Sequence, residues 1–373
     1  MVELCTLGGY NEVGKNMIAV KSGNDAVIFD MGFHMQRIVD FEEEGGHKAG
    51  LTANHLIKLD AVPDDGVIAS WKHQVKAIAL SHCHLDHIGA VPYLAKHYNA
   101  PIYGTPFTMS VLNRMMRDDD LSLPNNLVTS NTGKIIKLTN NISIEFIHVT
   151  HSTPHSTFIA LHTKEGVILY ATDFKFDNHP VIGNVSNYDR IKELRDEGVI
   201  ALFVDSLYSK YDGKMPSEKV AREMLKDVLL GTDNDGSAII GTCFASHIAR
   251  LKSFIDFGKK LDRKVVFLGR SMMKYADSAN QSGIIALSKH AQIVGYRQDV
   301  KRTLRQIEKN GAQNYLILCS GGQGEPNSVL NRMLEQHYPF KFMNEDQVIF
   351  SNKVIPVEPN IANRKELEHK LTN

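Results

Sequence analysis

The stretch "LSHCHLDHIGAVPYL" (residues 80–94) places His82, His84, Asp86 and His87 within six positions, after the apolar run "VKAIAL" and before an apolar helical pattern. Imidazole and carboxylate are ligands of borderline metals such as zinc, and a metal that keeps an open coordination position supports hydrolysis. His82 and His84 are two apart in an extended segment, so both rings can point to one side. Asp86 and His87 fall at the turn into a helix beginning near Ile88, where they can serve a second metal. Two metals about 3.5–4 Å apart suit phosphoester hydrolysis. A polar loop built only for solvation has no need of four ligand-type groups at this spacing.

The rest of such a site has to come from other strand ends. "HVTHSTPHS" offers His148, His151 and His155, and residue type alone does not choose among them. "YATDFKFD" offers Asp173, whose two oxygens can bridge two metals. Asp30 in "VIFDMG" also ends a strand and fits a partner that orients a ligand from behind. Around these positions "VELCTL", "MIAVKSG" and "DAVIFDMG" read as an antiparallel start, and "SIEFIHVTH", "TFIALHT" and "GVILYATDF" as further strands. "IGAVPYLAKHY" reads as one helix. From about residue 209 strands and helices alternate through "SAIIGTC", "KVVFLG" and "NYLILCSGG", the pattern of a small parallel sheet with crossover helices.

HxHxDH, the strand-end His151 and Asp173, and Asp30 before a glycine resemble the metallo-β-lactamase fold. More narrowly, "GGYNEVGKNM", "HSTPHS", "ATDFKFD", "GRSM" and "GGQGEP" resemble the β-CASP ribonuclease J family, its archaeal members in particular, over essentially the whole chain. The resemblance implies an α/β protein: a metallo-β-lactamase αββα sandwich over 1–208, an inserted β-CASP domain over 209–350, and a return to the first domain over 351–373. It implies that His82, His84 and His151 hold one zinc, that Asp86 and His87 hold another, and that Asp173 bridges them. It also places an acidic catalytic residue at Asp205 of "VDSLYS", beside Asp86. Single-stranded RNA as substrate, 5′-to-3′ exonuclease action favouring a 5′-monophosphate, and a homodimer are implied in the same way. Bacterial relatives usually carry Asp where this chain has His155. The family's late histidine motifs lie beyond "KELEHKLTN", so the expectation is a shortened chain with one complete and one incomplete metal site. His369 is expected to be a solvated residue on a helix.

Three further turns point to phosphate. "FASHIAR" gives Ser246, His247 and Arg250, "GRSM" gives Arg270 and Ser271, and "GGQGEP" gives Gly321, Gly322 and Gln323. At the carboxyl ends of parallel strands these turns would share one sheet edge, where backbone amides at helix starts cradle anions. Arg250 and Arg270, beside the turns, are the expected phosphate contacts; the lysines of "GKKLDRK" read as solvated. "GGYNEVGKN" nearly matches a P-loop, but Asn16 stands where Ser or Thr would ligate magnesium and no βαβ pattern surrounds it.

Lys+Arg and Asp+Glu are equal at 42 each, so nucleic-acid binding has to come from a local patch and not a basic coat. Cys5, Cys83, Cys243 and Cys319 form no CxxC pair and read as reduced thiols, and the amino terminus lacks a signal-peptide pattern. The expected protein is cytoplasmic, with no membrane partner. Two other functions compete: a glyoxalase-like thioester or lactam hydrolase on the same metal core, which leaves the inserted domain unexplained, and a catalytically weak RNA-binding protein.

Overall fold

The computed structural model describes residues 1–43 and 50–372. The chain forms two compact units, residues 1–178 with 184–215, and residues 179–183 with 216–373.

In the first unit β1 (Val2–Gly8), β2 (Met17–Ser22) and β3 (Asp25–Phe29) form the expected antiparallel meander. β4 (Val75–Leu80), β5 (Ile102–Gly104) and β6 (Leu127–Thr129) then join in parallel, giving a six-stranded sheet in sequence order. The second sheet runs β11-β10-β9-β8-β7. Here β7 (Ile135–Lys137), β8 (Ser143–His148), β9 (Thr157–His162) and β10 (Val167–Ala171) are antiparallel, and β11 (Val199–Val204) lies parallel to β10. Ile18, Val20, Val27 and Phe29 of the first sheet meet Ile144, Phe146, Ile159, Leu161 and Ile168 of the second in one buried cluster. The outer face of the second sheet packs on Leu194 of the helix Tyr188–Glu197. The helix Pro106–Asp118 packs against β5 and β6 of the first. The order helix, sheet, sheet, helix is the expected sandwich. Each fully buried aliphatic or aromatic side chain contributes about 1.5–3 kcal/mol, so this interior holds the sandwich independently of anything bound at the sheet ends.

One local expectation fails. The segment after His87 is two short helices, Leu85–Ile88 and Val91–Leu94, and not one continuous helix. Pro92 lies in the first turn of the second helix, where its missing N–H costs nothing but cannot continue the first.

The second unit has a five-stranded sheet in the order β14-β13-β15-β12-β16, built from β12 (Ile239–Thr242), β13 (Lys264–Leu268), β14 (Gln292–Val294), β15 (Tyr315–Cys319) and β16 (Gln347–Phe350). All its pairings are parallel, as the alternation of strands and helices requires. Residues 351–373, expected to return to the first domain, fall in the second unit. β16 pairs with β12, Leu367 of the helix Glu358–Thr372 enters the second unit's core, and the Arg364 guanidinium lies 3.4 Å from the Phe350 ring centroid. His369 is exposed on that helix, as expected.

Candidate metal centre

The ends of β4, β8 and β10 come together in one place. β4 ends at Leu80, Ser81 turns the chain, and His82, His84, Asp86 and His87 follow on the turn and the short helix Leu85–Ile88. His151 follows β8 and Asp173 follows β10. The turn is stitched to two other loops. Asn16 N–H donates to Asp86 O at 3.1 Å, Phe33 N–H to Leu85 O at 2.9 Å, and Met31 N–H to His87 O at 2.7 Å. Gly32 makes this approach possible, because a Cβ there would lie 1.6 Å from Asp86 O.

Two groups of ligand atoms result, each with all its atoms within 4.8 Å of one another: His82, His84, His151 and Asp173, and Asp86, His87 and Asp173. His82 Nε2 is 3.0 Å from His84 Nδ1 and 3.7 Å from Asp173 Oδ2. His151 Nε2 is 3.3 Å from His84 Nδ1 and 3.6 Å from the same Asp173 oxygen. The other Asp173 oxygen, Oδ1, is 3.5 Å from His87 Nε2, which is 3.6 Å from Asp86 Oδ2. Asp173 thus turns one oxygen to each group. Its φ of 34° and that of Asp30 at 55° are left-handed, a region Asp and Asn enter more readily than most residues.

The groups behind the ligands fix which ring nitrogen faces inward. Asp30 is fully buried. Its Oδ1 accepts from Ser81 N–H at 2.8 Å, and its Oδ2 accepts from Ser81 Oγ at 2.7 Å and Tyr170 Oη at 3.0 Å. The same Oδ2 lies 2.8 Å from His87 Nδ1, so His87 turns Nε2 to the site. Ser81 Oγ lies 3.0 Å from His82 Nδ1 and does the same for His82. Asp30 thus touches Ser81, Tyr170 and His87 at once from behind the cluster.

Burial and the neighbouring rings push His82 well below the ordinary histidine value. Burial first, then His151, takes His84 down to about 4. Their lone pairs are available at neutral pH, as a metal requires. Burial opposes charge on His87 as well, but Asp86, Asp173 and Asp30 overcome it and raise His87 well above its ordinary value. Asp173 is held well below the carboxylate range, His87 outweighing burial. A positive charge among these carboxylates is what the cluster favours, and two nitrogen- and oxygen-lined groups sharing a carboxylate fit a pair of divalent cations.

Other expected residues lie elsewhere or are engaged differently. His148 Nε2 is 3.0 Å from Asn184 O, so it belongs to a loop contact. His155 sits in a left-handed turn with φ 56°, its Nδ1 buried without a hydrogen-bond partner. Asp205 follows β11, and its N–H donates to Ala171 O at 3.1 Å, which brings it beside the strand end carrying Asp173. Its Oδ1 accepts from Leu207 N–H at 2.8 Å, and its carboxyl is raised, by desolvation first and Asp173 second. Lys15, of the P-loop-like stretch, is tied to Asp60 at 2.6 Å and Glu12 at 3.0 Å. Sequence reasoning missed Asn16, Ser81 and Tyr170. Asn16 stood in a stretch read for phosphate and for the family resemblance but not for the metal site, whereas its Nδ2 is 3.0 Å from His87 Nε2.

In the second unit the turns after β12, β13 and β15 lie at the same carboxyl edge of adjacent parallel strands. Arg270 is exposed at the first turn of the helix Arg270–Gln281, with Ser271 half-buried beside it. Arg250, expected to meet phosphate, does not face solvent. Its Nε and Nη2 donate to Glu218 at 2.7 and 2.9 Å, and Nη1 donates to Ser351. A guanidinium this fully bonded holds the helix Glu218–Gly231 to the Ser351 loop. Gln323 is also committed: its amide N–H donates to Glu325, its Nε2 to Lys353 O, and its Oε1 accepts from Ile355 N–H. His247 Nε2 lies 3.3 Å from Glu218 Oε2.

Glu218 gives a pH prediction. Burial presses its carboxyl upward, but His247 and Arg250 win and bring it down to about 2 from 4.5. The second unit thus gains stability from ionised Glu218 above pH 4.5, and loses it as pH falls through about 2. At 1.36 kcal/mol per pH unit this amounts to about 3 kcal/mol. Glu218→Gln is expected to shrink the stability difference between pH 7 and pH 3, measured by urea denaturation. An unchanged difference would show that Glu218 is not the acid-labile group.

The chain matches two family models: the metallo-β-lactamase superfamily over residues 10–198 and the ribonuclease J β-CASP domain over residues 236–366. It is 42% identical to ribonuclease J of Methanocaldococcus jannaschii, over 99% of this chain and 82% of that protein. To ribonuclease J of Pyrococcus abyssi it is 41% identical, over 100% of this chain and 81% of that one. To that of Thermus thermophilus it is 30% identical, over 97% and 60%. Among solved structures, a protein of unknown function from Enterococcus faecalis shares the fold, with a TM-score of 0.55 and 18% identity over 84% of this chain and 76% of that one.

Proposed function

The chain belongs to the ribonuclease J family and is a metal-dependent ribonuclease, and from that premise we propose that it is a processive 5′-to-3′ exonuclease on single-stranded RNA, favouring 5′-monophosphate ends. The observation that carries the hydrolytic part is the pair of ligand groups sharing Asp173. His82, His84 and His151 would hold one zinc ion and Asp86 and His87 a second, with Asp173 between them. When bound, such ions polarise a phosphoryl oxygen and stabilise the charge that develops in an in-line displacement.

The chain's own residues do the rest. Asp30 and Ser81 keep the ring nitrogens of His87 and His82 turned inward. Asp86, 3.6 Å from His87 Nε2, would offer its carboxylate to the second ion. Asp205, with Oδ1 occupied by Leu207 N–H, has Oδ2 to take up or deliver a proton, and its raised carboxyl value suits that task. The turns carrying Ser246, Arg270, Ser271, Gly321 and Gly322 would receive the terminal phosphate. Arg270, exposed at a helix start and in no ion pair among the described residues, is the strongest of these contacts. Four cysteines outside any disulfide agree with a reducing cytoplasm, and among the described residues no helix is long and apolar enough to cross a membrane. The working unit would be a homodimer, by analogy with the family.

The test is metal-dependent release of mononucleotides from end-labelled RNA. A 5′-monophosphate substrate is expected to be degraded about tenfold faster than a 5′-triphosphate one, the worth of one good charge-assisted contact. Arg270→Ala should shrink that preference more than it lowers overall RNA affinity. Equal rates on the two ends, or internal cuts alone, would overturn the exonuclease assignment. Retention of RNA without any cleavage would favour the binding-protein alternative.

A further inference from the structure

We propose that Asn16 is a positioning residue for Asp86, and that it sets the affinity of the Asp86, His87 and Asp173 group for its cation without touching the other group. The proposal rests on the assignment of two cation-binding groups made above.

Asn16 reaches Asp86 by three routes. Its main-chain N–H donates to Asp86 O at 3.1 Å, its Nδ2 donates to the same carbonyl at 3.0 Å, and Nδ2 lies 3.4 Å from Asp86 Oδ2. Both contacts of Nδ2 are with acceptors that only an N–H can satisfy, so the carboxamide is oriented with nitrogen toward Asp86. The amide nitrogen has no lone pair to offer a cation, so Asn16 acts through Asp86 and not as a ligand. Nδ2 also lies 3.0 Å from His87 Nε2, the nitrogen that faces the site. The donor thus stands where positive charge is favoured, between the histidine lone pair and the carboxylate of one group. Among the described residues, its side-chain contacts are with Asp86 and His87.

The local sequence is shaped to this placement. A Cβ at Gly9 would meet Asn16 Oδ1 at 2.4 Å, so the glycine at position 9 makes room for the carboxamide. Asn16 O accepts from Gly32 N–H at 3.0 Å, and Lys15, with φ 53°, is fixed by Glu12 and Asp60. The "GGYNEVGKN" loop is therefore a scaffold that delivers one amide to one carboxylate. Groups that orient a ligating carboxylate typically govern metal affinity by about 10–100-fold.

The experiment titrates the full chain, stripped with chelator, with Co2+ by calorimetry and by the visible absorption of the bound ion. Wild type is expected to take two ions, the one at Asp86, His87 and Asp173 more weakly. Asn16→Ala should weaken one of them by about 10–100-fold and leave the other unchanged. In an Asp86→Ala background the same substitution should have no further effect, because the group it acts through is gone. Asn16→Ser keeps the main-chain bonds and stands in if Asn16→Ala does not fold. Two ions bound with unaltered affinities in the Asn16 variant would overturn the proposal, as would an equal loss at both sites or an additive loss in the double variant. Fewer than two ions in wild type would instead overturn the two-cation assignment beneath it.

Discussion

Asp173→Asn is expected to lower kcat/KM on RNA by at least about 1,000-fold, and to cost the protein both cations while leaving its fold intact. Asp173 is the one residue common to the two ligand groups, turning Oδ2 to His82 and His151 and Oδ1 to His87. Metal assistance to phosphoryl transfer contributes several kcal/mol, and each 1.36 kcal/mol is tenfold in rate. Asparagine is the cleanest replacement because it keeps the shape and accepts the left-handed backbone at φ 34°, so the loss is one of charge and ligation alone. The sandwich interior lies between the sheets and not at this loop, so circular dichroism and the melting transition of the stripped protein should change little. The measurements are initial rates over a metal series and ion content by mass spectrometry. A variant that binds two ions and cleaves RNA at near wild-type rate would remove Asp173 from the centre.

Much of this centre was legible in the sequence because its ligands are short-range pattern. His82, His84, Asp86 and His87 occupy one turn, and a strand end fixes where their side chains go whatever surrounds them. Asp173 was legible for a related reason, because it follows the continuous apolar run VILYA, whereas His151 was one of three histidines near the end of β8 and only the family resemblance chose it. What the sequence hid was long-range pairing. Arg250 beside a turn looks like a phosphate ligand until Glu218, 32 positions away, is found to hold it. Asn16 likewise carries no sign of Asp86, 70 residues later. β5, β6 and β7 are three residues each, too short for alternation to register against noise. The helix Glu358–Thr372, expected to return to the first domain, carries no local sign of its unit, and only Leu367 in the second unit's core assigns it there.

Asp30→Ala is expected to destabilise the first unit by about 4 kcal/mol or more and to weaken the cation held by His87. The carboxylate has no solvent exposure and serves Ser81 N–H, Ser81 Oγ, Tyr170 Oη and His87 Nδ1 at once. Removing it strands several buried polar groups, each costing about 1–3 kcal/mol, and leaves His87 without the carboxylate that anchors its ring. Tyr170 stacks on Phe29 with centroids 5.3 Å apart, so the damage reaches the packing between the sheets and not only the site. Asp30→Asn separates the two consequences. It preserves volume and the carbonyl that Ser81 N–H can use, but offers one acceptor where the carboxylate offers two. It should recover part of the stability while His87 still loses its orienting charge. Urea denaturation of the metal-free protein reads the first effect, and cation affinity at the Asp86 and His87 group reads the second, expected to fall about 10–100-fold. If Asp30→Ala unfolds within about 1 kcal/mol of wild type, the buried network around Ser81 is not what supports this strand end.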